Sequence, residues 1–151
     1  VRSTTLWSRW FSLTDREINN LVVDLVFDCY VYKTTLCGGD FDDEPYDVEF
    51  EVPRSVNNPL EWIRTELNYI PNNSNYVDDF YSAFCVVDEM RKYGWTRFTL
   101  CQNDDGTWTA EFKRRADRRV VAFDSTDKKP TRAICLAAIS ARKYDKQNVR
   151  S

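Results

Sequence analysis

Two clusters of charged side chains are the residues of this chain whose types and spacing could do chemistry. The first is a run of seven carboxylates without an intervening lysine or arginine: Asp40, Asp42, Asp43, Glu44, Asp47, Glu49 and Glu51. The second is an arginine connection with one intervening acid, formed by Arg114, Arg115, Arg118 and Arg119. Carboxylates hold hard cations or face a basic partner, whereas guanidinium groups bind phosphate or carboxylate with two parallel hydrogen bonds.

The carboxylate run supports three interpretations. Asp40, Asp42, Asp43 and Glu44 could ligate a divalent metal in a hydrolase or transferase, although the run lacks the full ligand pattern of a calcium loop. The second interpretation is a solvated edge, and the third is an acidic edge that docks on a basic surface of a partner protein. The residues of this acidic edge are Asp42, Asp43, Asp47, Glu49 and Glu51.

The arginine connection likewise supports three interpretations. It could be a solvated loop between two strands. It could be a site for a small anionic ligand, a nucleotide or a nucleic acid, because arginine recognises phosphate and carboxylate groups. It could also pair with the acidic segment of another subunit, in which case the protein would be a homo-oligomer.

Absences in the composition restrict the function classes further. The chain has no histidine, which removes histidine-based acid–base catalysis, Ser-His and Cys-His nucleophiles and most zinc sites. Its four glycines do not form a phosphate-binding loop. The net charge of −3 argues against binding nucleic acid through bulk charge alone. We therefore predict no catalytic residues, no metal and no cofactor.

The elements around the acidic edge follow from periodicity. Tyr46 to Val52 alternates apolar and acidic residues, which predicts a half-buried strand with Asp47, Glu49 and Glu51 on its wet face. Before it, Thr14 and Glu17 form a capping box that opens a helix. An apolar stripe continues that helix to Cys29: Ile18, Leu21, Val22, Leu25, Val26 and Cys29. A short helix is predicted from Pro59 to Leu67.

The elements around the arginine connection are a helix, a hairpin, a strand and a final helix. The helix runs from Tyr76 to Tyr93, and its predicted buried face is Val77, Phe80, Tyr81, Phe84, Val87 and Met90. The hairpin pairs Trp95–Cys101 with Thr107–Lys113 around Asp105-Gly106. A strand around Val120–Phe123 leads into an alanine-rich helix from Pro130 to about Lys143.

These elements indicate one domain at residues 14–144, an aromatic segment at 1–13 and a polar tail at 145–151. Five cysteines without paired spacing predict free thiols, with Cys37 alone exposed. No apolar run is long enough for a membrane span, and we expect the protein in the cytoplasm.

Four pieces in this order resemble a known family. They are Ile70–Ser74 with the helix to Met90, then Gly94-Trp95, Gly106–Phe112 and Ala133–Ala138. Over Asp15 to Lys143 the chain is similar to the phage α/β/α-sandwich domain. This resemblance implies an α+β fold in which helices cover an antiparallel sheet on both sides. It implies no binding or catalytic residues.

Together these observations predict a non-enzymatic phage accessory protein. It would bind a host protein or sequester a small ligand, with counter-defence as one such role.

Overall fold

The computed structural model describes residues 13–36, 44–65 and 75–148. Within these ranges the chain forms helices and two antiparallel sheets, which confirms the predicted mixed α/β class. The elements in chain order are α1 (Asp15–Leu25), β1 (Cys29–Leu36), β2 (Tyr46–Pro53), α2 (Pro59–Thr65), α3 (Phe80–Arg91), β3 (Arg97–Gln102), β4 (Trp108–Ala116), β5 (Arg119–Asp127) and α4 (Pro130–Gln147).

The larger sheet has the order β3-β4-β5 and carries the main core. In this sheet Phe98, Phe112 and Phe123 occupy one cross-strand row, and Phe112 is fully buried. Helix α4 covers β4 and β5 and also packs against α1 and α3. Because α4 has neighbours on more than one side, it is buried at ten positions, four of them alanines that allow close approach.

The predicted hairpin between β3 and β4 is confirmed. Its strands pair antiparallel with Arg97 opposite Lys113 and Gln102 opposite Trp108. Gly106 has φ +89°, a conformation that glycine adopts without steric cost. The Asp105 carboxylate accepts a hydrogen bond from the Thr107 N–H at 2.9 Å and fixes the turn.

The smaller sheet pairs β1 with β2 and has a core of its own with α2. Val48, Phe50 and Val52 of β2 pack there with Ile63 of α2. The sequence pattern missed β1 because Cys29 continued the helical spacing. In the structure α1 opens with the predicted capping box but ends at Leu25. Asp28 then takes φ +53° and turns the chain into β1.

The predicted buried face of the long helix is only partly confirmed, because Val77 and Met90 are buried and Val87 packs against the core, but its other three residues are exposed. Helix α3 begins at Phe80, because residues 76–78 form a turn and Asp79 caps the helix through the Ser82 N–H at 2.9 Å. Spacing counted from Val77 therefore places Phe80, Tyr81 and Phe84 on the buried side although they are exposed. The buried residues of α3 are Ala83, Val86 and Met90, whereas Phe80, Tyr81 and Phe84 are exposed.

The end of α4 also differs from the prediction. The helix continues to Gln147 rather than ending near Lys143, because Asp145 is held by side chains of the core. The described cysteines are all free thiols, and Cys101 is exposed although only Cys37, outside the described residues, was expected to be. No helix in the described ranges has the length and apolarity to cross a membrane.

Candidate functional site

The acidic strand presents its carboxylates to one side of β2, but cations and a hydroxyl group engage two of them. Glu49 pairs with Arg16 of α1 at 2.9 Å and with Lys33 of β1 at 3.7 Å. Asp47 is exposed and accepts a hydrogen bond from the Thr35 hydroxyl at 2.8 Å. Of these two carboxylates, Glu49 therefore has its charge balanced by cations, whereas Asp47 accepts a hydrogen bond from a neutral group.

Glu51 is a partly buried member of the acidic edge. Its carboxylate accepts a hydrogen bond from the Tyr76 hydroxyl at 3.0 Å, which joins β2 to the turn before α3. Burial raises the pKa of the Glu51 carboxyl above its usual range, and the hydrogen bond from Tyr76 acts in the opposite direction. A carboxyl group in this position serves packing more directly than it serves a partner.

The remaining acids are Asp40, Asp42 and Asp43, which lie outside the described residues, and Glu44, which is exposed at the start of β2. Among the described side chains, no three carboxylates or thiolates come close enough to one another to hold a metal ion. The metal-dependent alternative thus stays a prediction that concerns residues 40–44.

Strand β4 extends to Ala116, so Arg114 and Arg115 of the arginine connection are successive strand residues and point to opposite faces of the sheet. Arg114 shares the inner face with the buried residues Ala110 and Phe112. Its guanidinium group pairs with Asp145 at 2.6 Å, donates to the Tyr93 carbonyl oxygen at 3.1 Å, and lies 4.2 Å from the centre of the Trp95 ring. Arg114 is a structural residue and is not available to a ligand.

Asp145 is the centre of this buried polar group, and the sequence pattern missed it. It accepts hydrogen bonds from Arg142 at 2.8 Å and from the Trp95 indole N–H at 2.9 Å, besides its pairing with Arg114. Arg142 also donates to the Leu25 carbonyl oxygen at 2.8 Å. The network connects the end of α4 to β4 and to the end of α1.

The other three arginines of the connection project into solvent. Arg115 lies on the outer face of β4, and Arg118 and Arg119 lie at the tip of the hairpin between β4 and β5. Ala116 pairs with Arg119, so the turn between the two strands is two residues long. Its first residue, Asp117, has φ +58°, as turns of this length require. The sequence pattern did not connect Arg97 with them, but β3 places it directly opposite Lys113, two residues from Arg115.

We call Arg97, Arg115, Arg118 and Arg119 the arginine surface. All four are exposed, and none has a carboxylate partner among the described residues. Lys113 in their midst pairs with Glu111 at 3.3 Å. A shallow recess of about 250 Å³ lies on this side of the sheet, lined by Thr96, Arg97, Lys113, Arg114, Arg115 and Val120.

This geometry can bind anionic groups. Guanidinium groups recognise carboxylate and phosphate in a planar, two-bond geometry and stay protonated at every physiological pH. The outward positions of β3, β4 and β5 carry no aromatic side chain on which a base could stack. The site is therefore suited to charged groups on the surface of a partner.

Comparison with known families gives a match. The model described as the Phage ABA sandwich domain matches residues 46–139, from the start of β2 into α4. The match includes the hairpin that carries the arginine surface. Comparisons with curated proteins and with solved structures give no match.

Proposed function

The chain belongs to the phage ABA sandwich domain family, and from this premise we propose a non-enzymatic phage accessory protein that binds a host protein. In this proposal the arginine surface recognises carboxylates on the partner. Binding to a host component in this way is compatible with a counter-defence role in the host cytoplasm.

One observation carries the proposal, namely the contrast between paired and unpaired arginines. Arg114, Arg132 and Arg142, which contact the core, each form an ion pair with a carboxylate at 2.9 Å or less. The four members of the arginine surface have no such partner in the described ranges, although Arg97 and Arg115 share the outer face of the sheet and Arg118 and Arg119 lie at the end of the adjoining hairpin. Like charges that are held together repel one another, and an anionic partner removes that cost.

A protein partner fits this surface better than a nucleic acid or an enclosed small ligand. Nucleic-acid-binding domains usually carry a basic surplus, whereas this chain has a net charge of −3. Binding of single strands also relies on aromatic stacking, which the outward positions of β3–β5 cannot supply. The two recesses beside these arginines, of about 250 Å³ and about 730 Å³, are open to solvent, whereas small-molecule sites usually enclose most of the ligand.

The test uses labelled poly-L-glutamate as a model of an acidic protein surface and fluorescence anisotropy as the readout. The variant Arg115→Gln/Arg118→Gln/Arg119→Gln removes three charges from the arginine surface. The matched control, Arg91→Gln/Lys128→Gln/Lys146→Gln, removes three exposed charges elsewhere. We expect the first variant to bind roughly tenfold more weakly or worse, and the control to stay within about twofold of the wild type.

Three outcomes would overturn the proposal. They are the absence of wild-type binding in low salt, equal losses in the two variants, and tight binding of an oligo-dT strand in preference to poly-L-glutamate. The last outcome would assign the surface to nucleic acid.

The acidic edge is a second candidate surface, directed at a basic host protein. Asp47 of this edge and Glu44, three residues before it, are exposed, and the structure records no cation beside either of them in the described ranges. The variant Glu44→Gln/Asp47→Asn should slow the association with labelled poly-L-lysine and reduce its salt dependence. The control is Asp88→Asn/Asp124→Asn, which removes two exposed acids from α3 and β5. Equal rates for both variants would reject this candidate.

A further inference from the structure

The outer edge of β3 is open in the described part of the chain. β3 pairs with β4 in a continuous register from Arg97 to Gln102, and no described strand lies on its other side. Thr99, Cys101 and Gln102 are exposed there. An edge strand offers unpaired N–H and C=O groups, and proteins usually protect such edges with proline, a bulge or inward-pointing charges. β3 has no proline and no bulge.

An aromatic row runs from the core to the surface beside this edge. The ring centres of Phe112 and Phe98 are 4.9 Å apart, those of Phe98 and Phe84 are 6.5 Å apart, and those of Phe84 and Phe80 are 6.2 Å apart. Exposure rises along the row, from 0% at Phe112 to 46% at Phe84 and 50% at Phe80. Helix α4 covers β4 and β5 and α3 packs beside α4, so the exposed rings lie on the β3 side of the sheet.

One cation of the same strand, Arg97, lies on the opposite face. Arg97 projects outward from β3, next to Lys113 and close to Arg115. A strand added to β3 would turn alternate side chains toward the two faces of the sheet. One set would meet the aromatic rings of Phe80 and Phe84, and the other set would meet the cations.

We propose that β3 takes up an extended segment of the partner protein as an additional strand, in which apolar residues alternate with acidic ones. Backbone hydrogen bonds supply affinity in this mode of recognition, and the alternating side chains supply specificity. The expected preference for acidic residues in the added strand rests on the proposed function, since Arg97 belongs to the arginine surface. The strand pairing itself rests on the open edge and on the aromatic row.

The probe is a synthetic octapeptide of four valines alternating with four glutamates, measured by isothermal titration calorimetry. Two further peptides carry N-methyl groups, one on the valine amides and the other on the glutamate amides. Successive N–H groups of a strand point to opposite edges, so only one set faces β3. We expect one methylated peptide to lose binding by tenfold or more, while the other binds like its parent.

Protein variants test the two faces separately. Phe80→Ala should weaken binding about fivefold, because a half-exposed ring no longer covers the valines, whereas Tyr81→Ala on the neighbouring, more exposed residue is the control. Arg97→Gln should weaken binding of the glutamate peptide and leave a valine–glutamine peptide unaffected. Circular dichroism confirms the fold of each variant.

Equal binding of the two methylated peptides would overturn the proposal, as would equal effects of Phe80→Ala and Tyr81→Ala. A dimer that Phe80→Ala dissociates would also overturn it and would assign the edge to a second copy of the chain. A different measurement tests the proposed function: it fails if the Arg115/Arg118/Arg119 variant binds poly-L-glutamate as tightly as the wild type does.

Discussion

Arg114 and Arg115 are neighbours in sequence, but the structure gives them opposite roles. We expect Arg114→Gln to destabilise the protein and Arg115→Gln to leave its stability unchanged. Arg114 lies against Asp145, the Tyr93 carbonyl oxygen and the Trp95 ring, with 23% of its side chain exposed. Arg115 is exposed on the outer face and has no ion pair in the described ranges.

The magnitude follows from the contacts that are lost. A hydrogen bond to a charged group contributes about 1.5–3 kcal/mol, and a cation–π contact contributes about 0.5–1 kcal/mol. Asp145 keeps Arg142 and the Trp95 indole N–H as partners, so the carboxylate is not left alone in the core. We therefore expect Arg114→Gln to lower the free energy of unfolding by about 2–4 kcal/mol. Arg115→Gln should stay within about 0.5 kcal/mol of the wild type.

Urea denaturation followed by circular dichroism measures both free energies under identical conditions. If the free energy of unfolding falls with urea concentration at the same slope in all three proteins, the difference between them is one of stability and not of a more or less compact unfolded state. If Arg114→Gln and Arg115→Gln unfold at the same urea concentration, the division of the arginine connection into a buried and an exposed part is wrong.

Three further expectations concern other parts of the molecule. Gly94→Ala should lower the free energy of unfolding in urea by about 1–2 kcal/mol, because Gly94 has φ +92° and the new Cβ would lie 3.1 Å from a side-chain carbon of Arg114. An unchanged free energy of unfolding would contradict this expected strain. Burial raises the pKa of Glu51 in the folded protein above its value in the unfolded protein. The free energy of unfolding therefore falls as the pH rises from the unfolded-state pKa through the folded-state pKa. Glu51→Gln should therefore raise the melting temperature at pH 7, and the gain should shrink as the solution is acidified; a gain independent of pH would reject this reasoning. Ellman's reagent should modify the exposed Cys101 quickly and Cys135 only on unfolding, because burial raises the pKa of the Cys135 thiol; equal rates would contradict the packing.

The elements set by local signals were predictable from the sequence. The capping box at Thr14 and Glu17 and the turn at Asp105-Gly106 both have side-chain signatures that act within four residues. Strand β1 was missed because its first residue, Cys29, continued a helical spacing. The alternation of β1 is also weak, since lysine and threonine replace apolar residues in its second half.

The candidate site was only partly predictable, because it depends on where β4 ends. The sequence pattern predicts that this strand ends at Lys113, and this prediction leaves four arginines in one connection. Had the alternation of Trp108, Ala110 and Phe112 been continued, it would have placed Arg114 inside and Arg115 outside. The proximity of Arg97, by contrast, follows from strand pairing, and the pairing of Asp145 with Arg114 follows from the packing of α4.

The central claim is that the arginine surface, rather than the acidic strand, meets the partner. Nitrogen-15 NMR of the labelled protein during titration with poly-L-glutamate tests this claim most directly. The account predicts that amide shifts concentrate at Arg97 and at residues 115–119, with little change along β2. Shifts spread evenly over the molecule, or concentrated at residues 46–53, would contradict it.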